Sequence, residues 1–531
     1  MERQPYTRLD YILMAVLGVL ALTAGLLVAW FVTERIPRLE DEIAYLFQAR
    51  TYAHGALWAP IPDRPSPAFT PFVINLPSDK RVGKYTPGWP LLLAVGELFN
   101  AGWVVNPILG ALTVVLIYIL ARDLFDRQVG VIAGLLAFTS PFYLIMSSTY
   151  MSHAAAALWA GLLALSFLRA DRAREEGRKM WGWAALGGLA IGMMALTRPL
   201  SAIGVVFPFG VVLLVRWLQH PRSFGQMLRD YWPMAALALV LCAVEPAYMY
   251  ILTGNPMHNL YLDVWTYDTV GFGPQFGRGG HTVQQGLRTA QLGVELLSSD
   301  LFGWQKLSLV PLLPGMIFGF IEAKKNRKVW PILLLMPTVM LVIVHIAYWV
   351  GADIYGPRYY YEGHVGMAIL SGLGIRSTVR WLGELIGRAA KWLKGVPDRL
   401  GASGGLTYRY GIPAYVVLAA LIAVNAATYL PNRLHELGHV YDITRAPVTE
   451  FEQLKQTDHV LILIRGIHWP EYAPFFLYDS PWMDGPIVAV HDNSPSHQHD
   501  ALNLYPGREV WFYNAITGQF TKVATPYVPE Q

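Results

Sequence analysis

The chain has little charge and almost no cysteine. Only 15% of its 531 residues are Asp, Glu, Lys or Arg, where a soluble protein carries roughly 25%. Its one cysteine, Cys242, falls inside an apolar run. No intrachain disulfide can form, so any external part must hold together without one. The net charge of +4 is small and spread through loops, which gives no reason to expect a nucleic-acid partner. Internal repeats and low-complexity segments are also missing.

What the chain does have is apolar sequence, 54% of all residues. A spanning helix needs about 20 apolar residues. Eleven stretches reach or approach that length: roughly 11–33, 103–121, 129–147, 154–169, 181–197, 200–217, 233–252, 307–322, 329–350, 363–379 and 410–430. The expected fold class is therefore an α-helical polytopic membrane protein with about 11 transmembrane helices. The run Tyr11 to Val32 is too long for the h-region of a signal peptide and has no clear cleavage site, so it reads as an uncleaved span. A shorter apolar segment, YTPGWPLLLAVGELF (85–99), opens with two prolines and reads as a re-entrant or interfacial helix.

Lys and Arg in the short loops set the orientation. With the N-terminus cytoplasmic, the inner segments include RADRAREEGRK (169–179), KKNRK (324–328) and the basic stretch Arg376–Arg409. The outer segments are then 34–102, 254–306, 351–362 and 431–531. The expected location is the plasma (inner) membrane, with residues 1–430 as the membrane domain and 431–531 as a small extracytoplasmic α/β domain. In that last segment VLILIRG (460–466), IVAVHD (487–492) and EVWFYN (509–514) read as short strands between Pro and Gly punctuation.

The candidate chemistry gathers at the outer face. PRLEDEIAYLFQARTYAHG (37–55) opens the first external loop with three consecutive acids followed by an amphipathic helical pattern. Asp41 and Glu42 fall in the first turn, where the helix dipole favours carboxylates. A helix start and a catalytic carboxylate are both open on this spacing. Lys84 follows in GKYTPGWP, and His153 in YMSH between the third and fourth spans. Arg198, in TRP (197–199), stands at the end of a span beside a helix-breaking proline. Such an arginine either snorkels or lines a polar cavity, and the cavity is the preferred reading. Glu245, next to Pro246, is a further intramembrane acid. The segment DTVGFGPQFGRGGHT (268–282) follows no strand and lies outside, so it is a mobile loop over a site or a connector rather than a nucleotide loop. GADIYGPRYYYEGH (351–364) places Arg358 beside Tyr359 and its neighbours at the membrane surface. Carboxylates together with several cations suit a reaction with an anionic leaving group such as a lipid phosphate.

The order of these motifs resembles the GT-C superfamily of membrane glycosyltransferases, most closely the protein O-mannosyltransferase and lipid A aminoarabinose transferase branch. The matching residues are Asp41-Glu42-Ile43-Ala44-Tyr45 for the acidic motif and its tyrosine, and Lys84-Tyr85-Thr86-Pro87 for the lysine–proline segment, here with two residues inserted. Arg198 stands for the cation after the fifth span, and GPRYY (356–360) for the motif before a late span. His153 holds roughly the place of a second acid in the family. The resemblance covers residues 1 to about 430. It implies a sugar donor on polyprenyl phosphate, an acceptor hydroxyl from protein, lipid or glycan, and inversion at the anomeric carbon. It makes Asp41 the general base, with Glu42 as the second acid of the motif. Tyr45, Lys84, His153, Arg198, Arg358 and Tyr359 would contact substrate. It names no certain cofactor and leaves a divalent metal open.

HELGH (435–439) supplies a competing reading, because H-E-x-x-H is a zinc-peptidase pattern. His435 and His439 would be ligands and Glu436 the base, with Asp442 or the cluster HDNSPSHQHD (491–500) as a source of a third ligand. The stretch follows the last span on an exit helix instead of lying within one, so an amphipathic helix is preferred. Two non-enzymatic readings also stand: a transporter or flippase, which the lack of a repeat disfavours, and an adaptor that has lost catalysis.

Overall fold

The computed structural model describes residues 5–63, 68–220, 224–322, 329–351, 354–393 and 411–523. Two of the basic inner segments, KKNRK and much of 376–409, lie outside the described residues.

Helices dominate, because in a bilayer the backbone must satisfy its own hydrogen bonds. Among the described residues six helices are long and apolar enough to cross a membrane: Arg8–Phe31, Gly102–Leu124, His153–Glu175, Pro199–Gln219, Gly225–Thr253 and Ile412–Gly438. Two bent pairs raise the number to eight if each is one span. Arg127–Thr139 and Pro141–Ser148 meet at 60°. Ser140 makes that break by capping the second helix through its Oγ, and Pro141 has no N–H to continue the first. Val283–Asp300 and Gln305–Glu322 meet at 94°, the angle of a surface helix turning into a span.

Among the described residues length and composition thus give six to eight candidate spans, fewer than the eleven expected. Trp181–Thr197 and Trp330–His345 are apolar but short, about 25 Å at 1.5 Å per residue against a hydrocarbon core of about 30 Å. His364–Leu393 follows its apolar start with charges, including Arg376, which pairs with Glu322 and Asp126 at 2.8 Å each. Every stretch expected to span is nonetheless helical over most of its described residues.

The two ends of the bundle differ. At one end, Asp10 pairs with Arg122 and Arg127 at 3.0 and 2.8 Å, and Asp123 with Arg169 and Arg172 at 2.6 and 2.8 Å. These ties fix the first helix against the next ones. At the other end lie the surface helix Glu40–Ala53, a small antiparallel sheet and the short helix Gly88–Glu97. In that sheet Lys80–Gly83 is central, between Ala59–Pro60 and Val73–Leu76. It delivers the chain to Lys84.

Toward the C-terminus a four-stranded sheet has the order Ile487–His491, Val460–Arg465, Glu509–Asn514, Gln519–Lys522. The first three strands are parallel and the last closes an antiparallel hairpin. VLILIR is apolar at nearly every position because both faces are covered. Ile462 and Ile464 pack with Phe451, Phe475 and Trp511, while Leu461 and Leu463 pack with Val488, Val490 and Leu502. The first of these cores also takes in Ile36 and Ile43 of the first loop. Arg50 donates to the carbonyls of Phe476 and Asp479 at 2.9 and 2.7 Å. The surface helix is therefore wedged between bundle and sheet.

HELGH is part of this connection. It closes the helix Leu430–Gly438, whose Arg433 donates from Nε to Asp300 Oδ1 at 2.9 Å and from Nη2 to Oδ2 at 3.1 Å. Asp300 is buried and also accepts from the Tyr429 hydroxyl at 2.7 Å. Removing one partner of such a pair costs about 3–5 kcal/mol. Arg433→Ala is therefore expected to lower the thermal unfolding midpoint clearly, whereas His435→Ala and His439→Ala, both exposed, stay within about 0.5 kcal/mol of the parent. Equal effects of all three in detergent-phase unfolding would contradict this role for Arg433.

Candidate active site

The acidic motif forms a helix start, and its two acids do different work. Glu42 is fully buried. Its Oε2 accepts from the Arg38 and Leu39 N–H groups at 2.7 and 3.1 Å and from the Tyr355 hydroxyl at 3.0 Å. Its Oε1 accepts from the Tyr150 N–H at 2.8 Å. Four donors from three chain segments thus converge on one buried carboxylate. Burial pushes its pKa up, opposed by the N–H groups of Arg38 and Tyr150. In this structure Glu42, expected from the sequence as a second catalytic acid, anchors those segments to one another.

Asp41, one residue earlier, points the other way and keeps 23% side-chain exposure. Its Oδ1 accepts a hydrogen bond from the Tyr85 hydroxyl. Its Oδ2 is 3.7 Å from the Arg358 guanidinium, close enough for attraction but too long for a hydrogen bond. Burial and the Asp41 carboxylate both hold the Tyr85 hydroxyl well above its usual pKa, so Tyr85 stays a donor. Tyr45 stands one turn after Asp41 on the same face. Its ring lies 4.3 Å from that of Tyr85, and its hydroxyl is 3.3 Å from Ser152 Oγ.

Arg198 reaches the same serine, donating from Nη1 to Ser152 Oγ at 3.3 Å and from Nε to Ser201 Oγ at 3.2 Å. It interrupts two helices with extended backbone, φ −149 and ψ 84, as a residue preceding proline tends to. Its Nε also lies 3.1 Å from Glu362 Oε1. Arg358 is fixed by a hydrogen bond from Nη1 to the Ile354 carbonyl at 2.9 Å. Two residues before it, Gly356 has φ +74, and a Cβ there would collide with Asp300 Oδ2. Only glycine fits that turn beneath Arg433 and Asp300.

Tyr359 lies at the centre. Its ring has the Arg198 and Arg358 guanidinium carbons at 5.5 and 5.4 Å. It stacks on His345 at 4.8 Å and on His153 at 6.3 Å. His153 is fully buried, and both its ring nitrogens lack hydrogen-bond partners.

Lys84, expected to contact substrate, has a closed setting in this structure. It is buried, with Nζ 3.4 Å from Asp268 Oδ2 and 3.5 Å from the Phe72 ring centre. Burial pulls its pKa down, opposed by Asp41 and Asp268.

The structure therefore brings Asp41, Tyr45, Arg198, Arg358, Tyr359 and His153 into one neighbourhood, with Lys84 beside it. Sequence reasoning missed Tyr85, Ser152, His345, Glu362 and Asp268. Two signals were present: Glu362 is an acid at the mouth of an apolar run, and Asp268 heads the glycine-rich stretch. His435 and His439 are not brought to this site. Their rings are 4.1 Å apart, but His439 lies past the helix end, with Nδ1 2.8 Å from the His435 carbonyl. Glu436 pairs with Arg433 at 2.9 Å. Among the described residues no three His, Cys, Asp or Glu side chains are grouped to hold a metal ion.

Comparisons with known proteins bear on the fold and on part of the chain. Residues 104–262 match the family model described as dolichyl-phosphate-mannose-protein mannosyltransferase. The matched stretch contains His153 and Arg198 but not Asp41, Lys84 or Arg358. The fold is similar to that of ArnT from Cupriavidus metallidurans bound to undecaprenyl phosphate, at 15% identity, TM-score 0.56, covering 96% of this chain and 99% of that one. The apo form of ArnT from the same organism gives 16% identity and TM-score 0.53, covering 94% and 93%. No curated protein matches by sequence. The chain thus shares the fold of ArnT over nearly its whole length.

Glu42 gives this site its sharpest stability test. Glu42→Ala strands three backbone N–H groups and the Tyr355 hydroxyl, at about 1–3 kcal/mol for each donor left buried. The variant should unfold at markedly lower temperature than Asp41→Ala. A Glu42→Ala protein as stable as Asp41→Ala would show that the four bonds hold nothing together.

Proposed function

We propose that the protein transfers a sugar from a polyprenyl-phosphate donor to an acceptor hydroxyl at the outer face of the membrane. The observation that carries this reading is the setting of Asp41. It is a partly accessible carboxylate held between Tyr85 and Arg358, at the end of the bundle where Arg198 and Lys84 also lie.

In this reading the acceptor O–H gives its proton to Asp41 as its oxygen attacks the anomeric carbon. The bond from that carbon to the phosphate oxygen breaks on the opposite face, and the electron pair leaves with the polyprenyl phosphate. Configuration inverts. The leaving phosphate is a good anion, so it needs cations rather than a second acid. Arg198 and Lys84 meet its charge, and Arg358 holds Asp41 in place while adding to the positive field. Tyr45 and Tyr359 form the walls on which the sugar rests, and His153 offers its unpartnered ring nitrogens to the sugar or the phosphate. A departure from the family's second acid at this place is thereby met by Glu362, which supplies a carboxylate from another segment but spends it on Arg198.

Asp41→Asn keeps shape and removes the base. It is expected to fold and to bind donor normally while transfer falls by at least about a hundredfold, within the usual range for a lost general base. Turnover of a radiolabelled polyprenyl-phosphate sugar reads the rate, and NMR of the product anomer reads the stereochemistry. Near-parental transfer by Asp41→Asn, or a product with retained configuration, would sink the assignment.

A further inference from the structure

Lys84 cannot be reached by a donor phosphate in the conformation seen. Its side chain is 4% exposed and that of its partner Asp268 is 1% exposed. Besides Phe72, the rings of Tyr261, Trp265 and Tyr85 surround the ammonium at 4.9, 5.0 and 5.3 Å. An ammonium has three N–H donors, and here the aspartate at 3.4 Å is its one hydrogen-bond acceptor among the described residues. The ring faces compensate part of the charge, but they accept hydrogen bonds poorly.

Asp268 itself is held independently of the lysine. Its Oδ1 accepts from the Tyr348 hydroxyl and the Trp349 indole N–H, each at 3.1 Å. It sits just after the helix Leu260–Val264, at the head of the glycine-rich segment. Gly271, Gly273, Gly277, Gly279 and Gly280 in that segment all have positive φ. The backbone that carries Asp268 therefore has conformations open to it that other residues would forbid. To a lysine, a carboxylate oxygen and a phosphate oxygen are the same kind of partner, an anionic acceptor.

We propose that Asp268 is an internal competitor of the donor's phosphate for Lys84. Its carboxylate holds the ammonium while the site is empty and yields it when the phosphate enters. This rests on the reading that Lys84 meets a donor phosphate. The competitor lowers the apparent donor affinity by the fraction of molecules in which Lys84 is closed off. It also sharpens selection, because an uncharged polyprenol has nothing with which to displace a carboxylate.

The sign of one mutational effect separates competition from mere support. If Asp268 only braced the site, its loss would weaken binding. Binding of undecaprenyl phosphate and of undecaprenol to the full-length protein in nanodiscs is followed by native mass spectrometry, with unfolding temperature measured alongside. Asp268→Asn is expected to tighten binding of the phosphate roughly tenfold, in the usual range of coupling between sites, and to leave undecaprenol unchanged. Tyr348→Phe removes one bond to Asp268 without touching Lys84, and should tighten binding in the same direction by less. It decides the matter if Asp268→Asn fails to fold. A parent that prefers the phosphate, with variants that bind it no tighter, overturns the competitor and leaves the donor reading intact. A parent and variants that bind phosphate and alcohol alike overturn the donor reading and the competitor with it.

Discussion

The buried carboxylate of Glu42 is the constraint on which the active end depends. It accepts from the Arg38 and Leu39 N–H groups that lead into its own helix, from the Tyr150 N–H at the turn before the helix His153–Glu175, and from Tyr355 just before Arg358. A charged group taken out of water is tolerated only when its hydrogen bonds are satisfied. That requirement fixes three segments, remote in sequence, against each other. Asp41, as the neighbouring residue on a helix, has its direction set by the same bonds. The base candidate is thus oriented by a neighbour whose own carboxylate is bonded within the protein.

Around this anchor the cations come with acids: Arg198 with Glu362, Arg358 with Asp41, and Lys84 with Asp268. The pairs differ in what they permit. Arg198 keeps its Nη1 on a hydroxyl, that of Ser152, which exchanges readily for a phosphate oxygen. Arg358 is turned toward the Asp41 carboxylate. Lys84 is shut behind aromatic rings. In the proposed reading an anionic donor would therefore meet graded resistance, least at Arg198 and greatest at Lys84.

Much of this was legible in the sequence, and the failures have physical causes. Long apolar runs announce helices reliably, but a run does not report its own bends. Ser140-Pro141 splits one span, and the short helix Trp181–Thr197 falls below bilayer length. Asp41, Arg198 and Arg358 were identified because a charge beside a span or in a helix start has few ordinary reasons to be there. The anchoring contacts of Glu42 were not legible because two of its partners lie more than a hundred and more than three hundred residues away, and adjacency in sequence says nothing of opposite directions on a helix. Glu362 and Asp268 escaped because their meaning lies wholly in the cation each meets. HELGH shows the converse: the zinc spacing is real, but the helix ends at Gly438 and Glu436 is spent on Arg433. The helix that this stretch closes braces the Gly356 turn through Arg433 and Asp300.

A structure of the protein with undecaprenyl phosphate bound tests the central claim most directly. The account predicts the phosphate within hydrogen-bond reach of Arg198 and Lys84, with Asp41 facing the opposite side of the position the sugar would take. A phosphate seated elsewhere, for instance among Arg169, Arg172 and Arg178 at the far end of the bundle, would contradict it.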